Sequence, residues 1–325
     1  MRDSYWDGIK GVAILAVIAL HVSTAATSFP VESFNYKFGV VLRQFINWPV
    51  AVFFFTSGLF SEPKKPDYRR SRSVRILLPY VSWGAIYTAW GLIRGQTFEP
   101  LSFFDGTIIG VGYFVVVLLC LTLLSPLFWR MRSVSGLIMI FSAASLTFAY
   151  YFRLIDTASV WSRFPYSALP FFVWAPFYLI GIELRKKGIE PSRAGLVVSA
   201  IAVSLGIMLS LAEASYLGDN TGLAVSQIKG SSFFTSLAVI ALIYNARPYL
   251  KLRSFAWLGL SSYAIYLSHM FVLSRLRGVL EGTALFEQQP IYFTASFTLV
   301  AATMVAMVAV ARKLPIGLRH NLIGA

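Results

Sequence analysis

Apolar runs long enough to cross a hydrocarbon layer recur along the whole chain, separated by short gaps that hold most of the charges, prolines and glycines. A helix needs roughly 20 apolar residues to span a core about 30 Å thick. Runs bounded by charge or by Pro and Gly predict about ten transmembrane helices, near 8–26, 38–60, 76–93, 107–129, 134–152, 166–184, 194–211, 232–244, 255–276 and 291–311. The eighth is the shortest. The expected fold class is all-α: one polytopic transmembrane helix bundle, a single integral-membrane domain over residues 1–325.

Composition agrees with the pattern. Of 325 residues 57% are hydrophobic and 13% charged, and the mean hydropathy is +0.68, against about 25% charged in a soluble domain. The net charge of +14 would suit a nucleic-acid partner if it formed a basic face. Here the charges sit in gaps between apolar runs, so no nucleic acid is expected and the partner is the lipid bilayer. Cys120 is the only cysteine, so neither an intramolecular disulfide nor a cysteine-rich metal site is possible. The first 27 residues have the outline of a secretory signal, but Asp3, Asp7 and His21 interrupt it, and an uncleaved first helix is expected.

Positive charge is retained on the cytoplasmic side of a membrane, so alternate gaps give the orientation. One side holds 20 of the 28 basic residues: Arg2 and Lys10; Lys64, Lys65, Arg69, Arg70, Arg72 and Arg75; Arg130 and Arg132; Arg185 to Lys187 and Arg193; Arg247, Lys251 and Arg253; Arg312, Lys313 and Arg319. That side contains both termini, which are therefore expected in the cytoplasm. No 20–50-residue period recurs and the two halves show no similarity of the kind found in inverted-repeat transporters. The gaps expected on the other side are too short for a separate folded domain.

Ionisable side chains inside hydrocarbon cost about 2.5–3.5 kcal/mol on insertion scales, which makes each a functional candidate. His21 and His269 fall within predicted helices, and His320 lies in the basic tail. Lys10 and His21 are eleven positions apart, about three helical turns, so they share one face at a separation of about 16 Å along the axis. Asp7 is placed to pair with Lys10. Spacing leaves Lys10 as either a snorkelling helix end or a site residue, and His21 as either an interhelical hydrogen-bonding group or a proton-transfer group.

Ser262, Tyr266 and His269 stand at i, i+4 and i+7, one helical face with three hydrogen-bonding groups, suited equally to bundle packing or to a substrate site. Ser57 and Gly58 close the second helix, where small residues allow close packing. Six positive charges follow within twelve residues. Most of these are ordinary membrane anchors, but a cluster this dense could also hold phosphates, since Arg and Lys bind phosphate through charge-assisted hydrogen bonds. Arg75, beside the apolar start of the third helix, is the one expected to point inward. Two histidines without a carboxylate cluster fall short of common metal-ligand sets, so no metal is expected.

At these residues the chain resembles the acyltransferase 3 family of bacterial membrane proteins. The shared features are Asp7-Gly8 followed by Lys10 and His21 in the first helix; Phe53, Phe54, Phe55, Ser57 and Gly58 ending the second; Arg75, Ile76 and Pro79 after a basic loop; and Ser262 to His269 in a late helix. Lys10 stands where arginine is commoner in the family, and Gly112-Tyr113-Phe114 where many members carry His-x-Trp-Phe.

The resemblance implies a bacterial inner-membrane O-acyltransferase that moves acetyl from cytoplasmic acetyl-CoA to a sugar hydroxyl of a surface polysaccharide or lipid-linked glycan. It implies His21 as general base or, equally compatible with the sequence, as a carrier of the acetyl group across part of the bilayer before transfer, with His269 and Tyr266 orienting it or the acceptor. Lys10, Arg72, Arg75, Ser57 and Gly58 would form the acetyl-CoA site, supported by Asp7. With no appended extracytoplasmic domain, transfer is expected to be completed within the membrane part. The rival reading is a ten-helix transporter with Lys10, His21 and His269 on a proton or substrate pathway; another is a structural protein.

Overall fold

The computed structural model describes residues 4–63, 67–218, 220–315, 317 and 324. Arg2, Asp3, Lys64, Lys65, Arg319 and His320, named above, lie outside the described residues. The described residues contain helices and no strand. Leaving aside turns of a few residues, the helices are α1 Ser4–Val22, α2 Phe34–Ile46, α3 Pro49–Leu59, α4 Tyr68–Ile93, α5 Tyr113–Arg130 and α6 Ser135–Tyr150. They continue with α7 Phe171–Lys187, α8 Arg193–Leu217, α9 Gly230–Ala246, α10 Arg253–Leu260, α11 Ser262–Leu280 and α12 Gln289–Ala311.

Eight helical runs among the described residues are long and apolar enough to cross a membrane, and a ninth if α10 and α11, bent by 71° to one another, count as one span. Each of the ten expected segments overlaps a helix, but α9, the counterpart of the shortest, has 17 residues and falls below that length. The expected second helix, 38–60, is two. Pro49 lacks the N–H that would continue α2, so the chain breaks at Asn47 and Trp48, and Pro49 starts α3 at its first turn.

After His21 the helix tightens to a 3₁₀ run, Ser23–Ser28. The hydroxyls of Ser23, Thr24, Thr27 and Ser28 each donate to the carbonyl three residues back, which competes with the α-helical ladder and shortens the turn.

The chain gaps meet at two ends. At one, Tyr5 donates to Ile243 O, Trp129 to Ser61, Lys186 to Phe128 O and Met131 O, and Arg185 to Glu62. At the other, Asn35 donates to Glu287 O, Tyr36 bonds Thr221, Asn220 donates to Arg153 O, and Tyr166 donates to Asp105. Of the gaps read from sequence as one side, those after α3, α5 and α7 are gathered at one end of the bundle with the start of α1 and the end of α9.

α1 is the hub, touching α3, α10, α11 and α12. Its apolar window is 67% buried, against 11% for the run that contains α6. Val198, Ile201 and Met208 on α8 and Met139 and Ile140 on α6 are exposed, an apolar outer surface that lipid, not water, accommodates. Two crossings depend on glycine. A Cβ on Gly259 of α10 would lie 1.7 Å from Asp7 O of α1, and one on Gly58 of α3 would lie 1.9 Å from Tyr178 O of α7. Gly181 of α7 answers from the other side, its Cβ position 2.3 Å from Phe55 O. Backbone meets backbone at both places, so a side chain cannot enter without moving a helix.

Candidate active site

A cavity of about 760 Å³ opens at the basic end of the bundle. α1 contributes Asp7 and Lys10, α3 contributes Ser57, α4 contributes Arg72 and Arg75, and α11 contributes Tyr266. Residues distant in sequence and suspected on separate grounds thus share one wall. Lys10 Nζ donates to Asp7 Oδ1 at 2.8 Å, with the Asp7 side chain 6% and the Lys10 side chain 23% exposed. Glu62 also lines the cavity and pairs with Arg185 at 3.3 Å. Arg72 and Arg75 make no ion pair among the described residues. Arg72 is half-buried and Arg75 exposed, so Arg72 is the deeper of the two.

Gly58 is placed otherwise: it is buried against Tyr178 and does not line the cavity, and its small size serves the α3–α7 crossing.

His21 and His269 lie beyond the cavity's inner wall. Their ring centroids are 5.2 Å apart, and the Tyr266 ring is 5.9 Å from His269. His269 is fully buried, and its Nδ1 lies 2.7 Å from Tyr266 O and 3.1 Å from Ile265 O. Both neighbours are acceptors, which assigns the proton to Nδ1 and leaves Nε2 an acceptor in the neutral ring. Nε2 is buried with no hydrogen-bond partner among the described residues. His21 is half-buried on the last turn of α1, followed at once by the 3₁₀ run. Tyr266 donates its hydroxyl to Val111 O, and its ring centroid is 5.0 Å from that of Phe114.

Sequence reasoning passed over Arg43. It is buried in α2 and donates from Nη1 to Leu20 O at 3.0 Å and from Nη2 to Val225 O at 2.9 Å. It therefore clamps the carbonyl just before His21. A lone arginine inside the apolar run 38–60 was the available signal, by the rule that flagged the histidines. A second missed cluster joins α6, α8 and α9. Glu213 accepts from Tyr150, from Ser231 and from Lys229, which is wholly buried and also donates to Ser210. At the other end of α6, Glu183 of α7 accepts from Ser133 Oγ, Val134 N and Lys187, fixing the start of α6. None of these groups lines the cavity.

Apolar helices with exposed flanks, a cavity lined by Lys10, Arg72 and Arg75 at one end and a histidine pair behind it mark a multi-pass membrane protein. The chain belongs to the acyltransferase 3 family: the family model, an acyltransferase domain, matches residues 3–312. It is a membrane acyltransferase. No curated protein and no solved structure matches it. Among the described residues no group of three His, Cys, Asp or Glu side chains could hold a metal ion.

Proposed function

We propose that this acyltransferase takes acetyl from acetyl-CoA and delivers it to a sugar hydroxyl of a surface polysaccharide or lipid-linked glycan. It works in a bacterial inner membrane that the chain crosses ten times, with both termini and the basic end in the cytoplasm. The single observation that carries the reading is the cavity in which Lys10, Arg72 and Arg75 converge while Tyr266, on its inner wall, touches His269, which in turn meets His21. Phosphates of a coenzyme A donor would find guanidinium groups there that no carboxylate among the described residues occupies. Phe53, Phe114 and Leu118 supply an apolar inner part for the pantetheine arm.

A thioester supplies an activated acyl carbon, and the remaining requirement is to make an alcohol nucleophilic. His21 takes the hydroxyl proton as general base. The acyl carbon–sulfur bond breaks, an ester carbon–oxygen bond forms, and the proton leaves with the thiolate as free coenzyme A. His269, held with its proton on Nδ1, presents an acceptor beside His21 that favours one orientation of the His21 ring. Arg43 holds the backbone on which that ring is mounted.

Isothermal titration of acetyl-CoA into detergent-purified protein tests the reading. Saturable binding that Arg72→Ala or Arg75→Ala weakens is the expected result. No binding by a folded, monodisperse sample would refute it.

A further inference from the structure

A second cavity, about 710 Å³, lies on the far side of Tyr266. It is walled by the last turns of α4, the segment 94–110 and α11. The two cavities share a stripe of α11. Ser262 and Tyr266 line the first, and Met270, Ser274 and Gly278 line the second, each four residues beyond the last. Successive positions four apart are neighbours on a helix, each turned by about 40°, so this stripe winds around α11 from the first cavity to the second, with Tyr266 and Met270 adjacent where the two cavities come closest. The partition between them is narrow. Tyr266, of the first cavity, donates its hydroxyl to Val111 O, and Val111 follows Gly110, of the second. His269 sits between Tyr266 and Met270 and meets His21.

The walls differ in chemistry. The second cavity has two broad rings, Tyr87 and Trp90, with the Arg275 guanidinium 4.9 Å from the Trp90 ring centroid and 3.9 Å from that of Phe271. Around them stand Gln96, Glu99, Thr107 and Ser274, which together offer donors and acceptors. Arg94 and Arg275 stand with Glu99 on this wall, so it carries charge of both signs, and a lipid chain would strand these polar groups. A sugar ring satisfies both features: its C–H face covers an aromatic ring, and its hydroxyls both donate and accept.

We infer that this second cavity is the acceptor site, which binds a glycan residue over Trp90 and directs one hydroxyl past Met270 toward the histidine pair. The inference rests on the transferase reading above and adds where the acceptor enters: from the end of the bundle opposite the donor.

The test uses membranes of cells that make the protein, supplied with acetyl-CoA labelled in the acetyl group. The readout is alkali-labile label in the glycan fraction, with the acetyl-CoA Kd of each purified variant measured in parallel. Trp90→Ala and Ser274→Trp are expected to lower glycan labelling at least tenfold while the acetyl-CoA Kd stays within twofold of wild type, which also certifies the fold. Trp90→Phe is expected to restore most of the labelling. Wild-type labelling in both disruptive variants would overturn the acceptor site and leave the transferase reading standing. A wild-type protein that neither binds acetyl-CoA nor labels glycan would overturn both.

Discussion

Around the first cavity the carboxylates are already matched, Asp7 by Lys10 and Glu62 by Arg185, while Arg72 and Arg75 remain available to an incoming anion. Around the second, Arg94 and Arg275 share the wall with Glu99, and the widest surfaces are the rings of Tyr87 and Trp90. Under the proposed function one end of the bundle would select for charge and the other for shape and mixed hydrogen bonding, with two histidines where they nearly meet. A two-substrate enzyme embedded in a membrane would gain from that separation, since only the reacting atoms would have to approach.

The largest test of that division falls on the boundary. His21→Ala is expected to lower acetyl transfer by about 10²–10⁴-fold, the usual worth of a general base, with the acetyl-CoA Kd unchanged. Normal transfer at normal expression would remove His21 from the chemistry. Arg72→Ala should act on one side alone. Loss of one hydrogen bond to a charged group, about 1.5–3 kcal/mol, predicts roughly 10–100-fold weaker acetyl-CoA binding, with residual transfer recovered at saturating donor. A fall in transfer at saturation as large as that of His21→Ala would show that the basic cavity does more than hold the donor.

Gly58→Ala sharpens the comparison differently. The new Cβ would meet Tyr178 O, a backbone atom, so α3 and α7 must part. Overpacking of this kind costs about 1–3 kcal/mol. The expected result is a lower melting temperature and reduced yield, with the acetyl-CoA Kd of the folded fraction within twofold. A selective loss of acetyl-CoA binding with normal stability would return Gly58 to the donor site.

Those contrasts mark what sequence could and could not convey. Periodicity and charge located every apolar segment, because each is a local property, and the Asp7–Lys10 pair followed from three-residue spacing on one helix. The break before Pro49 was missed: a proline within an apolar run is ambiguous, since Pro79, Pro126 and Pro176 sit inside unbroken helices. The partner of Gly58 was not legible either, since nothing near residue 58 announces Tyr178. Lys229 and Glu213 lie in a segment expected to be a loop, and their pairing depends on α8 folding back against α9. The second cavity was invisible for the same reason: Trp90 and Arg275 meet only after α4 and α11 pack.

The smallest expected effect concerns Lys10, where the family more often carries arginine. Its ammonium lies 2.8 Å from the carboxylate of Asp7, which is nearly buried. Much of its charge therefore offsets Asp7 and little is left for a phosphate a few ångströms further on. Lys10→Arg keeps that compensation and adds a planar fork able to reach a second oxygen. The acetyl-CoA Kd is expected to tighten by no more than about threefold, since the charge count of the cavity is unaltered. A change above tenfold in either direction would mean that residue 10 touches the donor directly, and the division of labour would then shift from α4 toward α1. Asp7→Asn provides the complementary reading: it removes one negative charge from the cavity wall, so acetyl-CoA binding is expected to strengthen in the Asn variant, and an unchanged Kd would mean that the Asp7–Lys10 pair does not face the donor.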